Sequence, residues 1–239
     1  MAFQISLTSN SSQIIREYKE GIPLNGPYEI GLKHFVFWNT LYNVTEKNNT
    51  LSLYEPVAAD ATISHKIRVP PGLYELDNLI SELEQNRWYQ ASHTVITLHK
   101  TTLKIVISSD WNLDFTVDNS IGQILGFSAR ITQPKMTSYS DLPVNISTIN
   151  TVKIDCNLVS ANIEDHKRNV HTLYDFPLDT AKIGGKIIKE PNPICYFTTN
   201  TDKIYDLVIK IADLDNNLLD LHGELVNLTL DFRPYGYQK

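Results

Sequence analysis

The stretch YDLVIKIADLDNNLLDLHGELVNLTLDF, Tyr205 to Phe232, decides how the chain folds. In its first half Tyr205, Leu207, Ile209 and Ile211 alternate with Asp206, Val208, Lys210 and Ala212. In its second half Val226, Leu228, Leu230 and Phe232 alternate with Leu225, Asn227, Thr229 and Asp231. Side chains along a strand point to opposite faces in turn, so a period of two marks two strands with one buried face each. Between them Asp213 to Gly223 is supplied with Asp, Asn and Gly, which tolerate turn geometry, and this predicts an antiparallel pair closed by a long loop. Two strands alone cannot cover Tyr205, Ile209, Leu228 and Phe232, so the rest of the chain must provide a second layer.

Upstream, Phe3, Ile5 and Leu7 alternate with polar residues as a short first strand, followed by a polar stretch through Glu20. A strand is predicted from about Tyr28 to Trp38. Ile30 and Leu32 share one parity and Phe35 and Phe37 the other, so this central strand is either covered on both faces or bulged near His34. Residues 39 to 60 read as loop with an edge strand at Leu51 to Tyr54. Ile63 to Val69 is a strand stopped by Pro70, Pro71 and Gly72. Leu76, Leu79, Ile80 and Leu83 then fall at helical spacing, which predicts one short helix over about 76–86 with Asp77 as its cap. Val95 to Leu98 and Leu103 to Ile107 read as a hairpin, and Leu113 to Val117 as a further strand. SIGQILGF, with Ser120 and Gln123 at capping-box spacing and Gly126 as a stop, predicts a single helical turn. Residues 128 to 150 read as loop. Val152 to Leu158, Val170 to Phe176 and Ile194 to Phe197 complete the strands, with Pro191 and Pro193 demoting the preceding KIIK to an edge or lead-in. About ten strands and one helix, with no βαβ alternation, predict an all-β fold of two packed antiparallel sheets.

The 239 residues carry 42% hydrophobic and 20% charged side chains and a formal net charge of −6. That composition suits one folded domain, and the absence of a Lys/Arg cluster argues against direct binding of nucleic acid. MAFQISLTSN is not a secretory leader, and no run approaches the roughly 20 apolar residues of a membrane span, so a soluble, unsecreted chain is expected. Cys156 and Cys195 read as buried, reduced thiols.

Asp213, Asp215, Asn217 and Glu224 occupy positions 1, 3, 5 and 12 of a calcium-loop pattern. Leu218 stands where that loop needs Gly, and the flanks are strands, so a plain acidic turn is the better reading. The seven histidines form no HxH or HExxH pair; His166 and His171 with the two cysteines match no zinc spacing. No GxSxG, phosphate-binding loop or dinucleotide glycine signature occurs. No enzyme activity, cofactor or metal is therefore predicted. Trp38, Trp88 and Trp111 are candidates for a sugar platform, set against their simpler role in packing, and they keep a carbohydrate-binding, lectin-like module as the alternative reading. Tyr235 and Tyr237 in the tail PYGYQK are candidates for docking on a neighbour.

Several phrases in order resemble a known group. GPYEIGL, the Trp-Asn and Tyr-Asn phrases that follow, PPGLYELDNL, SIGQILGF, VKIDCNLVSANI, HTLYDFP, GKIIKEPNPICYF and LDLHGELVNLTL resemble the penton-like minor capsid proteins of the polinton, polinton-like virus and virophage group, from about Tyr28 to Phe232. The chain has Gly184 and Gly185 where members often carry Pro-Gly. The resemblance implies a single jelly-roll β-sandwich over residues 1–239, with a short N-terminal arm and a C-terminal tail. It implies a homopentamer at the fivefold vertices of an icosahedral shell, in contact with neighbouring major capsid protein capsomers and located in the virion. A closed ring uses two different patches of each subunit. The residues put forward for these contacts are Phe3, Trp38, Asp213, Asp215, Tyr235 and Tyr237.

Overall fold

The computed structural model describes all residues except 57–61, 148, 161–162, 166–167, 179–183 and 237–239. The chain opens with β1 (Phe3–Ser9), β2 (Gln13–Pro23) and β3 (Tyr28–Trp38). Residues 42–148 form a compact unit of their own. It holds β4 (Thr50–Pro56), β5 (Thr62–Arg68), α1 (Leu76–Glu84), α2 (Arg87–Ala91), β6 (Val95–His99), β7 (Lys104–Ser108), β8 (Asn112–Asp114) and β9 (Ser138–Pro143). The chain then rejoins the first unit with β10 (Thr151–Cys156), β11 (Ile163–Asp165), β12 (Arg168–Val170), β13 (Thr172–Pro177), β14 (Lys186–Lys189), β15 (Tyr196–Thr198), β16 (Lys203–Ala212) and β17 (Val226–Pro234).

In the first unit one sheet has the order β1-β17-β3-β14, with β15 on the same flank of β3 further along, and the other has the order β13-β10-β16-β2. Every pairing is antiparallel and the pairs are nested. The first strand pairs with the last, β2 with β16, β3 with the β14 and β15 segments, and β10 with β13. A long hairpin folded over on itself in this way is a jelly roll. Leu207, Ile209 and Ile211 of one sheet and Leu228, Leu230 and Phe232 of the other are essentially inaccessible and belong to one core, with Phe35, Phe37 and Phe176 beside them.

This topology corrects the reading of Tyr205 to Phe232. β16 and β17 are not paired with each other; they lie in opposite sheets, and Asp213 to Leu225 carries the chain from one to the other. Both strands still bury one face, because each covers the other's layer across the core. Tyr205 is also not a core residue: it is 55% exposed, and fully buried Ile204 takes the inward place. The cause is a break in register between Ile204 and Asp206, where β16 meets β2. The second correction is β2 itself, an 11-residue strand where a polar stretch was expected. It is an edge strand on which Ile14 alone among the apolar residues is fully covered, so its sequence carries little alternation. The predicted irregularity near His34 is present. Thr229 pairs with His34 and Leu230 with Leu32, so Lys33 is the extra residue that shifts the parity of β3.

The second unit has the sheets β5-β4-β8 and β6-β7-β9. Its core includes Leu51, Leu53, Ile67, Leu79, Leu83, Ile105, Ile107 and Leu113. β4 is not an edge: it pairs with β5 on one side and β8 on the other, which is why Leu51 and Leu53 are fully buried. β8 ends at Asp114, earlier than predicted, because the Asp114 carboxylate accepts from the Thr116 backbone N–H at 2.7 Å and bends the chain. β9 lies within residues read as loop. The predicted helix is α1, but its N-cap is Glu75 and Asp77 lies inside the first turn. The short α2 follows, capped by the Asn86 side chain, which accepts from the Trp88 N–H at 2.9 Å. The Ser120 turn is a 3-10 helix over Ile121–Gln123, and Gly126 ends it at φ +80°. Among the described residues no helix is long and apolar enough to cross a membrane.

Candidate assembly surfaces

Phe3 is held within its own sheet. β1 pairs along its length with β17, and the Phe3 ring stacks on Phe232 with centroids 4.8 Å apart and planes 1° from parallel. The outward side chains form a polar ladder: Gln4 Nε2 donates to Asp231 at 2.8 Å, Ser6 and Thr229 share a bond of 3.1 Å, and Thr8 donates to Asn227 at 2.6 Å. Cross-strand pairs of this kind fix register and fasten β1 to its sheet, so Phe3 is not on a free arm. What β1 offers to a neighbour is its unpaired edge.

Trp38 is offered differently. It ends β3 opposite Lys186 of β14, and it is 40% exposed. Val36 pairs with Ile188, and since residues directly opposite share a face, Trp38 and Ile188 lie on the same outer face. Ile188 is 53% exposed. The inward residue between them, Ile187, is in the core. An exposed indole beside an exposed isoleucine, on a strand at the sheet edge, is the chemistry of a contact patch.

The Asp213 carboxylate is used locally. It accepts from the Asn217 backbone N–H and from Asn217 Nδ2, both at 2.9 Å, and Asn216 adopts φ +65°. This is the self-bonded acidic turn that the sequence favoured over a calcium loop. Asp215 at the tip is exposed. Leu219 and Leu221 root the loop in the core, while Leu214, Leu218 and Leu225 remain between 46% and 59% exposed. Asn216 accepts a hydrogen bond from Lys153 Nζ, which ties the loop to β10. Tyr235 is 62% exposed, and its backbone N–H donates to the Pro27 carbonyl at 2.9 Å. Tyr237 lies outside the described residues.

Trp88 stacks on His65 at 3.9 Å, Trp111 stacks on the same imidazole at 5.2 Å and is buried, and Trp38 belongs to the other unit. His65 also contacts the Glu55 carboxylate at 3.2 Å. The indoles of the second unit thus hold α2 and the Trp111 loop on β5. Both cysteines are free, but Cys195 is exposed and not the buried thiol expected of it, while burial pushes the Cys156 thiol up to about 12. His171 Nδ1 bonds the Val159 carbonyl, and His166 lies outside the described residues.

One feature of the outer face of the β1-β17-β3 sheet has no signature in the sequence. Arg233 lies 3.5 Å over the Tyr196 ring and donates from Nε to Glu29 at 2.8 Å. Tyr196 donates its hydroxyl to Asp231 at 2.8 Å, and Asp231 accepts from Gln4 with its other oxygen. Burial, followed by the bond to Asp231, pushes the Tyr196 hydroxyl up to about 12. These residues come from four strands, so only the fold brings them together.

The nested antiparallel pairing in the first unit, with β14 and β15 sharing one flank of β3, defines the class as the single jelly-roll β-sandwich. Within that class the chain is similar to the mavirus penton protein, with a TM-score of 0.53 over 98% of this chain and 99% of that one, at 12% sequence identity. This is the kind of protein to which the order of sequence phrases pointed. At that identity the likeness is one of fold. No family model matches the sequence, and neither does any curated protein.

Proposed function

We propose that this chain is a structural subunit of a viral capsid, a penton that closes into a ring of five at the fivefold vertices of an icosahedral shell. The observation that carries the reading is the end-to-end likeness to a penton protein, which spans both chains almost completely. The acidic balance of the sequence, with a net charge of −6, suits a shell component that does not bind nucleic acid directly. In a ring each subunit presents one patch to the neighbour on its left and a different one to the neighbour on its right. The strip of Trp38 and Ile188 beside the edge strand β14 is one such patch, and the exposed leucines around Asp213 and Asp215 are a candidate for the other. Tyr235, exposed beyond β17, is a further contact candidate toward neighbouring major capsid protein capsomers. The mature protein then resides in the virion, and its work is assembly, without a catalytic group.

A carbohydrate platform built from the tryptophans has less support, because Trp88 and Trp111 spend their faces on His65. The test of the capsid reading is assembly of the purified chain followed by multi-angle light scattering. The wild type is expected at five times the chain mass. The double variant Trp38→Ala, Ile188→Asp is expected to need about 30-fold higher concentration or more, because an interfacial tryptophan typically supplies at least about 2 kcal/mol. An unchanged ring in that variant would remove this patch from the interface.

A further inference from the structure

A cleft of about 690 Å³ opens beside the Arg233 network, lined by residues of β1, β15, β17 and the segment before β15. Its size lies in the range of clefts that hold small ligands. Pro193 and Ile194 give it apolar walls, and Gln4, Asn192, Asp231 and Arg233 bring planar polar groups to the same space. Gln4, Asp231 and Arg233 are held in place from behind. Gln4 Nε2 is committed to Asp231, which leaves its carbonyl oxygen as an acceptor. Arg233 is fixed by the Tyr196 ring and by Glu29 through Nε, which leaves its two terminal nitrogens as donors. Asn192 makes no hydrogen bond from its side chain to any described residue and adds one acceptor and one donor group. Pre-oriented donors and acceptors around an apolar wall are what a binding site needs, because little entropy is lost when a ligand enters.

The charges select the ligand class. Arg233 is paired with Glu29, and Asp231, held by Gln4 and Tyr196, is the carboxylate of the lining, so the cleft carries no surplus positive charge. A phosphate, sulfate or carboxylate ligand would meet the Asp231 carboxylate and a cation that is already paired. A neutral polyhydroxylated ring suits it better: its C–H face rests on Pro193 and Ile194, and its hydroxyls exchange donor and acceptor bonds with Gln4, Asn192 and Arg233. We propose that the cleft formed by Gln4, Asn192, Pro193, Ile194 and Arg233 is a binding site for a neutral saccharide unit.

The test is saturation-transfer difference NMR on the purified full chain with methyl β-galactopyranoside, methyl α-mannopyranoside and N-acetylglucosamine, and with a sulfated and a sialylated sugar for comparison. At least one neutral sugar is expected to receive saturation. Gln4→Ala and Asn192→Ala are each expected to weaken its binding about three- to tenfold, the worth of one hydrogen bond. Both positions are at the surface, and circular dichroism checks that each variant keeps its fold. Silence from all three neutral sugars overturns the proposal, and so does binding that both substitutions leave unchanged. Preference for the sulfated or sialylated sugar overturns the assignment of ligand class.

Discussion

At the scale of single residues, the two cysteines separate burial from chemistry. Cys156 sits on the inward face of β10 in the sandwich core, and its thiol is raised to about 12 by the loss of solvation. The nucleophile is the thiolate, so at pH 8 roughly one Cys156 in ten thousand carries the reactive charge, and even that fraction is shielded by the sheet. Cys195 is exposed. Iodoacetamide at pH 8 is therefore expected to add one label per native chain, on Cys195, and two in denaturant, as counted by intact mass. Two labels on the native chain would mean that β10 does not face a packed layer. Lys153, on the opposite face of the same strand, shows the complementary rule: it is 7% exposed, yet its ammonium meets Asp155 at 3.5 Å and the Asn216 amide. A buried charge persists where it is paired and hydrogen-bonded.

At the scale of elements, Gly126 is the clearest hinge between local chemistry and packing. It ends the Ile121–Gln123 turn at φ +80°, and a Cβ there would run into the Leu142 carbonyl of the chain crossing it. That crossing is fixed by the Leu142 N–H, which donates to the Gly126 carbonyl at 2.9 Å. Gly126→Ala is expected to cost at least about 1 kcal/mol, since both the backbone conformation and the space refuse a side chain. Urea denaturation of the variant measures it, and an unchanged midpoint would contradict the turn as described. The sequence announced this stop because Gly at that spacing has a local cause. β10 and α1 were legible for the same kind of reason, since each buries a regular face within a short span of chain, and β3 showed its bulge as a change of parity. β2 was not legible, because an edge strand wetted along most of its length has no pattern to show. The partnership of β16 and β17 was misread because alternation reports a buried face and says nothing of which sheet supplies the neighbour. Here β16 pairs with β10 and with β2, about 190 residues upstream, and β17 with β3 and with β1, about 220 residues upstream. The Arg233 cleft stayed hidden for the same reason: Gln4, Glu29, Tyr196 and Asp231 are neighbours only after the strands have nested.

At the scale of the whole molecule, the jelly roll leaves β1, β2, β13 and the β14 and β15 flank as sheet edges. Edges with unpaired backbone groups are a liability for an isolated chain and a resource for one that assembles. Charged residues guard β2, where Arg16, Glu17, Lys19 and Glu20 are exposed, while the β14 edge carries Ile188 beside Trp38. That asymmetry fits a subunit that joins its neighbours through some edges and keeps others in water. A cyclic assembly must close, and the number of copies at closure is the property that distinguishes a vertex protein from a lone binding module. The most direct measurement is the symmetry of the purified assembly, seen in class averages from negative-stain electron microscopy with native mass spectrometry of the same sample. Rings of five copies with fivefold symmetry are expected. A chain that stays monomeric at its highest soluble concentration, or that closes with another symmetry, would contradict that expectation.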